Sequence, residues 1–505
     1  MRKNLLALSI AAMIGGVSGM ANAAVFDNAS AAGGLAVPAT ATGIPAATQL
    51  SPTVTGVGHI LTVPYFTTQG ANATLLNLIN TDTVNGKAVK LRFRGAANSD
   101  DIFDITIYLS PGDMWTANVS AKGDLSALTT NDTSCTLPSI ADIKAQGGLF
   151  KTGRVNPTNS NAETREGYIE ILNTADIPEN NTAGSLFSAI KHVAGKAPCT
   201  ASVMDQQANE LIPGDAKHDP ATRGYSWPTG GLTANWVIVN TADMASFSGE
   251  AVAVRAEAMV GTPAAPVNGS GNLVWFPQTT DAPTFRTVGG TAQTVASFTA
   301  DPVLQGSTGM VANYDFPDLS TPYFYGATSA TQADNLAAAL ATKSVVNEYL
   351  VGGDANFSTD WVFSSPTRRY AVGVNYATKS LAFNSGVAAH YSSVNTTLNS
   401  TTLQACVTPG GAMKGYSREE DTQSTFVISP DTALKLCGET SVLTFGANKV
   451  LNAAIASRLV PVNYAEGWMS IGTTGLGNGL PVIGFAAAKT KGSNLGGTWM
   501  HRTSK

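Results

Sequence analysis

Few residues in this chain stand in patterns that chemistry requires. Its five histidines are His59, His192, His218, His390 and His501, and none sits in a His-Glu-x-x-His or other zinc-binding spacing. No Cys-x-x-Cys occurs. The stretch nearest to a serine-hydrolase elbow, Gly224-Tyr225-Ser226-Trp227-Pro228, fails at its final glycine. Phosphate loops and dinucleotide fingerprints are missing. One weak metal-like pattern, Asp354-x-Asn356-x-Ser358-x-Asp360, sets side-chain oxygens at alternate positions as a calcium loop does. Its sixth position is Thr359 instead of Gly and its twelfth is Ser365 instead of Glu, so it reads as a polar turn leading into a strand at Trp361. Asp100, Asp101 and Asp104 read as a solvated cluster paired with Arg92 or Arg94. Tyr65, Phe66, Trp115, Trp227 and Trp275 are of a type that stacks on sugars, although core packing is the commoner role of such rings. On this reading no residue is assigned to catalysis, to a cofactor or to a metal. A hydrolase site gathered from distant residues stays open as the alternative, because such sites are recognised by geometry and not by order.

The compartment is easier to read than the chemistry. Arg2 and Lys3, the apolar run from Leu5 to Val17, and Ala21-Asn22-Ala23 have the three parts of a secretory signal peptide, so residues 1–23 are expected to be removed and the mature chain to begin at Ala24. Export by the Sec route is the expectation. The full chain carries 30 basic and 35 acidic side chains, a net charge of −5, and no basic cluster able to hold phosphates, so nucleic acid is not an expected partner. Past the signal no run of 18 apolar residues exists, so no transmembrane helix is expected. Four cysteines remain: Cys135, Cys199, Cys406 and Cys437. An even count in an oxidising compartment points to two disulfides. Of three connectivities, Cys135–Cys199 with Cys406–Cys437 is favoured because each pair closes a local loop.

The elements that would position any site are mostly strands. In 88–94, Val89, Leu91 and Phe93 alternate with Lys90, Arg92 and Arg94; in 102–109, Phe103, Ile105, Ile107 and Leu109 alternate with polar residues and Tyr108. Period two predicts a hairpin with one buried and one wet face. Symmetric pairing about residues 95–101 sets Phe93 opposite Phe103, Leu91 opposite Ile105 and Arg92 opposite Asp104. A strand–turn motif recurs as Leu78-Ile79-Asn80-Thr81-Asp82, Ile171-Leu172-Asn173-Thr174 and Ile238-Val239-Asn240-Thr241, at spacings too unequal for a solenoid. Residues 331–350, rich in Ala, read as the best helix. Residues 359–364 and 369–376 read as a second hairpin. The expected fold is mainly β, with tandem Ig-like β-sandwich units and one or two helices. The expected divisions are a flexible leader at 24–57, a sandwich unit at 58–135, a second β-rich unit at 136–270 and a C-terminal β-rich region with a helix at 271–505.

Several segments carry a resemblance. They are Pro64-Tyr65-Phe66-Thr67-Thr68 with the Asn-Ala-Thr-Leu-Leu-Asn run after it, Lys90-Leu91-Arg92-Phe93-Arg94 with Leu109-Ser110-Pro111-Gly112-Asp113-Met114-Trp115, Thr359-Asp360-Trp361-Val362-Phe363, and Gly479-Leu480-Pro481-Val482. Together they resemble a group of proteobacterial secreted or cell-surface β-rich proteins. The resemblance implies export and a surface location, and it transfers no functional residue. The expected function is a non-catalytic structural or adhesive protein of the cell surface or extracellular space. Its expected partners are copies of itself or other envelope and matrix components. A secreted hydrolase and a periplasmic ligand-binding protein are the alternatives.

Overall fold

The computed structural model describes residues 24–26, 44–153, 155–208, 219–275, 284–288, 291–295, 329–353, 356–376, 378–424, 434–446, 448–490 and 495–505. The chain opens with β1 (Ala24–Phe26), β2 (Gln49–Pro52), β3 (Ile60–Thr67), β4 (Asn72–Asn80) and β5 (Gly86–Gly95). It continues through β6 (Asp101–Leu109), β7 (Met114–Lys122), β8 (Leu125–Thr129), β9 (Cys135–Leu137) and the short helix α1 (Ile140–Ala145). Next come β10 (Glu166–Ile177), the helices α2 (Leu186–Ile190) and α3 (Ala201–Gln207), β11 (Leu232–Asn240), β12 (Ala245–Glu250), β13 (Val252–Val260), β14 (Ala265–Asn268) and β15 (Leu273–Trp275). A separate hairpin, β16 (Thr284–Val288) and β17 (Thr291–Val295), precedes α4 (Ser329–Leu340).

The remaining strands are β18 (Ala341–Thr342), β19 (Ser344–Leu350), β20 (Phe357–Ser364), β21 (Val372–Asn375), β22 (Ser380–Phe383), β23 (Thr396–Asn399), β24 (Gln404–Val407), β25 (Met413–Ser417) and β26 (Thr422–Gln423). After them run β27 (Leu436–Cys437), β28 (Thr440–Phe445), β29 (Ser457–Val460), β30 (Glu466–Gly472), β31 (Leu480–Pro481), β32 (Ile483–Thr490), β33 (Gly496–Met500) and β34 (Arg502–Ser504). The fold is mainly β, and the described strands pair antiparallel, with β28 and β29 parallel.

Two sandwiches account for most of it. The first faces a sheet of order β14-β13-β3-β10-β5-β6-β9, with β2 also on β13, against a sheet of order β12-β11-β4-β7-β8. Leu61, Val89, Leu91, Phe93, Phe103, Ile105 and Ile171 from one sheet meet Leu76, Leu78, Trp115, Trp236 and Ile238 from the other. The second sandwich faces β26-β25-β30-β19-β34 against β29-β28-β20-β32-β33. Its core holds Val345, Tyr349, Met469 and Ile471 opposite Trp361, Phe363, Leu443 and Phe445. The sheet around β20 is buried on both faces, since Val362, Val442 and Phe485 join the core of the first sandwich. Phe485 lies 4.6 Å from Trp236 between ring centroids. Central strands covered on both sides need apolar residues at successive positions, and Trp361-Val362-Phe363 supplies them.

The division expected at residue 135 does not separate sheets. β10 inserts between β3 and β5, and β11 pairs with β4, so strands from both sides of that point share both sheets. Two parts of the leader expected to be flexible are paired strands: β1 lies on β15, and β2 lies on β13. The helix expected over 331–350 stops at Leu340, and its second half is the strand β19. Val345, Asn347 and Tyr349 alternate inward there, and β-branched and aromatic side chains fit a strand better than a helix. The second expected hairpin also fails. β20 pairs with β28 and β32, whereas β21 pairs with β22.

The repeated Asn-Thr motif is structural in all three places. Asn80 donates to the carbonyls of Asn85 and Ser110, both at 3.0 Å, and accepts from the Asp82 amide. Asn240 accepts from the Asp243 amide at 2.8 Å, and Asn173 donates to Asp176 at 2.9 Å. These bonds fix the turns after β4 and β11; the middle copy is not a turn, since β10 continues through it with a register shift between Asn173 and Ala175.

Candidate functional site

Among the described residues, a dense gathering of charged side chains lies on the far face of the β5–β6–β10 sheet, away from the apolar core. The hairpin register is the expected one: Phe93 opposite Phe103, Leu91 opposite Ile105, and Arg92 opposite Asp104. On its other side Arg92 stands opposite Glu170 of β10. The expected wet face is nevertheless dry. Lys90, Arg92 and Asp104 are each 0% exposed, and Asp100 and Asp101 are buried with them, which corrects the solvated cluster. Period two distinguishes two faces and does not report what covers either. Here α2 and α3 cover one end, packing Leu186, Phe187 and Ile190 on Ala88, Tyr108 and Ile177. Residues of the second sandwich cover the other end.

Burial forces these charges into mutual contact, because an unpaired ion in a low-dielectric interior is costly. Glu170 is the hub. Its Oε2 accepts from Arg94 Nε at 3.1 Å and lies 3.6 Å from Arg92, while its Oε1 accepts from Arg369 at 3.0 Å. Arg369 belongs to the turn after β20, so this contact joins the two sandwiches. Arg369 also lies over the Tyr370 ring at 4.1 Å. Arg368 is 2.6 Å from Glu439, whose other oxygen accepts the Arg369 amide at 3.0 Å. Lys90 pairs with Asp104, and Tyr376 donates to Asp100. At the opposite end Lys87 pairs with Asp176 at 2.8 Å and Asp82 at 3.0 Å.

Glu166 makes a second clasp. One of its oxygens accepts the successive backbone amides of Ala454, Ile455 and Ala456, and the other accepts Tyr65 Oη at 2.6 Å. The carboxylate of the first sandwich thus fills a backbone nest of the second. Asp360 acts likewise within the second sandwich, accepting the amides of Val450 at 2.9 Å and Leu451 at 2.8 Å. Asn72 binds the same loop through the Leu451 carbonyl at 2.7 Å.

Burial is the leading cause of the pKa shifts in this layer. It raises Asp360 to about 6 and raises Glu439 and Asp176 despite their cationic neighbours. Burial, with Asp100 and Glu166 nearby, drives Glu163 well above the usual carboxyl range. Strongly shifted carboxyls mark catalytic sites and internal ionic joints alike. This arrangement has the form of a joint, because Glu170 and Glu166 bind groups of both sandwiches.

Two of the four described histidines are fixed as neutral core groups. His59 Nδ1 accepts the Ala256 amide at 3.1 Å and Nε2 donates to the Gly269 carbonyl at 2.9 Å, and burial lowers its pKa to about 3. His501 bonds the Val362 carbonyl at 2.9 Å and Asn347 at 3.0 Å, and burial lowers it to about 4. Buried His390 bonds the Gly479 carbonyl at 2.9 Å. His192 alone among them meets a carboxylate and hydroxyls: Nδ1 lies 3.2 Å from Ser110 Oγ and 3.6 Å from Asp113, and Nε2 lies 3.4 Å from Thr133 Oγ1. Ser110 and Asp113 share one ring nitrogen, whereas a serine triad needs them on opposite nitrogens. His218 lies outside the described residues.

The calcium-like pattern is described only in part. Asp354 lies outside the described residues, Asn356 is in a turn, and Asp360 is 0% exposed and bonded to amides. Ser358 is buried in β20. Among the described residues no group of three metal-ligating side chains occurs. Tyr65, Phe66 and Trp115 are each 0% exposed and belong to the core, Trp227 is half-buried, and the side chain of Trp275 lies outside what is described. Both disulfides have the favoured pairing, Cys135 with Cys199 and Cys406 with Cys437. The second joins directly opposed residues of β24 and β27.

Glu166, Glu170, Arg368, Arg369 and Glu439 carry the joint, and no motif flags them. The available signal is their setting. In a chain with only 13% charged residues, Glu166 and Glu170 interrupt the apolar run Gly167–Leu172 and its neighbours. Comparison with known protein families, characterised proteins and solved structures finds no match to this chain.

Proposed function

We propose that the protein is an exported, non-catalytic structural or adhesive component of the cell surface or extracellular matrix. The observation that carries this reading is the buried ionic layer. Its charged groups pair with one another, and the Arg369–Glu170 pair and the Glu166 contacts with the Ala454 and Ala456 amides tie the two sandwiches together. The two disulfides support an oxidising destination. β1 begins at Ala24, the residue that cleavage after Ala23 would leave first, so the mature N-terminus would start inside a strand pair.

Fractionation of producing cells, with protease shaving of intact cells and electron microscopy, tests the reading. Recovery from the surface or medium is expected, with Ala24 as the first residue. Recovery as a soluble periplasmic monomer contradicts a surface role and favours the ligand-binding alternative. The hydrolase alternative draws on the His192, Asp113 and Thr133 cluster. Loss of an ester- or peptide-cleaving activity in His192→Ala, with folding unchanged, would establish it over the structural reading.

A further inference from the structure

The outer face of the β12-β11-β4-β7-β8 sheet has an unusual composition. The strand registers order it into rows: Met114, Ile79 and Thr233; Thr116, Asn77, Asn235 and Glu250; Thr129, Asn118, Leu75, Val237 and Ser248; and Ser120, Ala73, Val239 and Ser246. β4 and β11 have the same alternation of buried and less buried residues, so these side chains share the outer face. A further row, Lys122 with Leu125, closes the β7–β8 end, so the ionisable side chains among these described residues are Glu250 at the β12 edge and Lys122 at the opposite corner. Leu75 is 40% exposed and Met114 is 51% exposed.

We infer that this face binds a second copy of the same chain, face to face. Three points select that occupant. First, the full chain carries a net charge of −5, and 24–505, without Arg2 and Lys3, carries 28 basic and 35 acidic side chains, −7, so contact between two copies is least opposed on a face poor in charge. Secondly, the rows hold no aromatic ring, which disfavours a sugar partner, and a single cation, Lys122 at one corner, too few to hold a phosphate backbone. Thirdly, five strands spaced about 4.8 Å apart and roughly eight residues long span about 600 Å², close to the roughly 800 Å² that each partner buries in a stable interface. Leu75 and Val237, directly opposite each other, lie in the middle row, where contact energy concentrates. The inference rests on the proposed self-associating role, but it can fail while the surface location stands, because it is tested on purified protein.

The test is sedimentation equilibrium of the mature chain, 24–505, from about 0.1 to 50 μM, with Leu75→Lys and Val237→Lys as variants. Wild type is expected to dimerise, and each variant to weaken the dimer by about 100-fold or more, since each buries a charge at the interface centre. Unchanged thermal melting of a variant shows that its fold is intact. A third variant, Ser470→Lys, places the same charge on the second sandwich and should leave the dimer unchanged. A monomeric wild type at 50 μM overturns the inference. So does a dimer indifferent to both central lysines while lost in Ser470→Lys.

Discussion

Replacing Glu170 by glutamine removes one negative charge from among three guanidinium groups and changes the side-chain shape very little. At an effective dielectric of about 20, an ion pair at roughly 3 Å is worth about 5 kcal/mol of attraction. Most of that attraction offsets the cost of drying the ions, so the intact network adds little net stability. Glutamine leaves that drying cost uncompensated at Arg94, at 3.1 Å, and at Arg369, at 3.0 Å. The expected loss is about 3–5 kcal/mol, a large share of the roughly 5–15 kcal/mol that holds a typical domain folded. Urea unfolding followed by tryptophan fluorescence and near-UV circular dichroism is the assay, since guanidinium salts screen the interaction under test. Arg369→Met, alone and combined with Glu170→Gln, gives the coupling across the sandwiches, expected at more than about 1.5 kcal/mol. A loss below about 1 kcal/mol with no coupling is the behaviour of a surface salt bridge and would refute a dry ionic joint.

Further outcomes follow from the same contacts. Glu166→Gln should cost about 2–4 kcal/mol, because a charged acceptor is lost from three amides and Tyr65, and hydrogen exchange at Ala454–Ala456 should speed up markedly. His59 and His501 have lowered pKa values, so their stabilising contribution is complete above about pH 6.5 and is lost as pH falls toward 3–4; His59 accounts for up to about 5 kcal/mol of this. Urea midpoints at pH 7, 5 and 4 should record that fall, and His501→Phe should flatten part of it. Asp360 has the opposite sign: its contribution is present below about pH 4 and lost as pH rises through about 6, so Asp360→Asn should compare best with wild type at high pH. The disulfides close separations of 64 and 31 residues, and removing either by Cys→Ser should cost about 4 kcal/mol on chain-entropy grounds, measurable as a lower melting temperature.

Local pattern made some of this fold readable. The β5–β6 register follows from period-two alternation about a symmetric loop, and Arg92 opposite Asp104 needs no distant information. The disulfide pairs are legible for a similar reason, since each links neighbouring segments. The ionic joint is not legible, because its partners come from far apart: Arg369 meets Glu170 across 199 residues, and Glu166 meets Ala456 across 290. Lys90, Arg92 and Arg94 in a strand look like a solvated face until the covering chain is known. The alanine-rich run before Leu340 concealed the change of period at Val345, where burial switches to alternate residues. Tyr65, Phe66 and Trp115 stand out in the sequence by type alone, and type does not separate a stacking platform from a core.

Residue-resolved hydrogen exchange across the joint tests the central claim most directly, because a joint and a ligand site differ in whether solvent reaches the charged layer. The account predicts that β10 and β28, with residues 368–376, are protected together and exchange by one shared opening. Fast exchange at 368–376 beside a protected β10 would contradict it, since the Glu170 layer would then be open to solvent and free to bind something other than the protein itself.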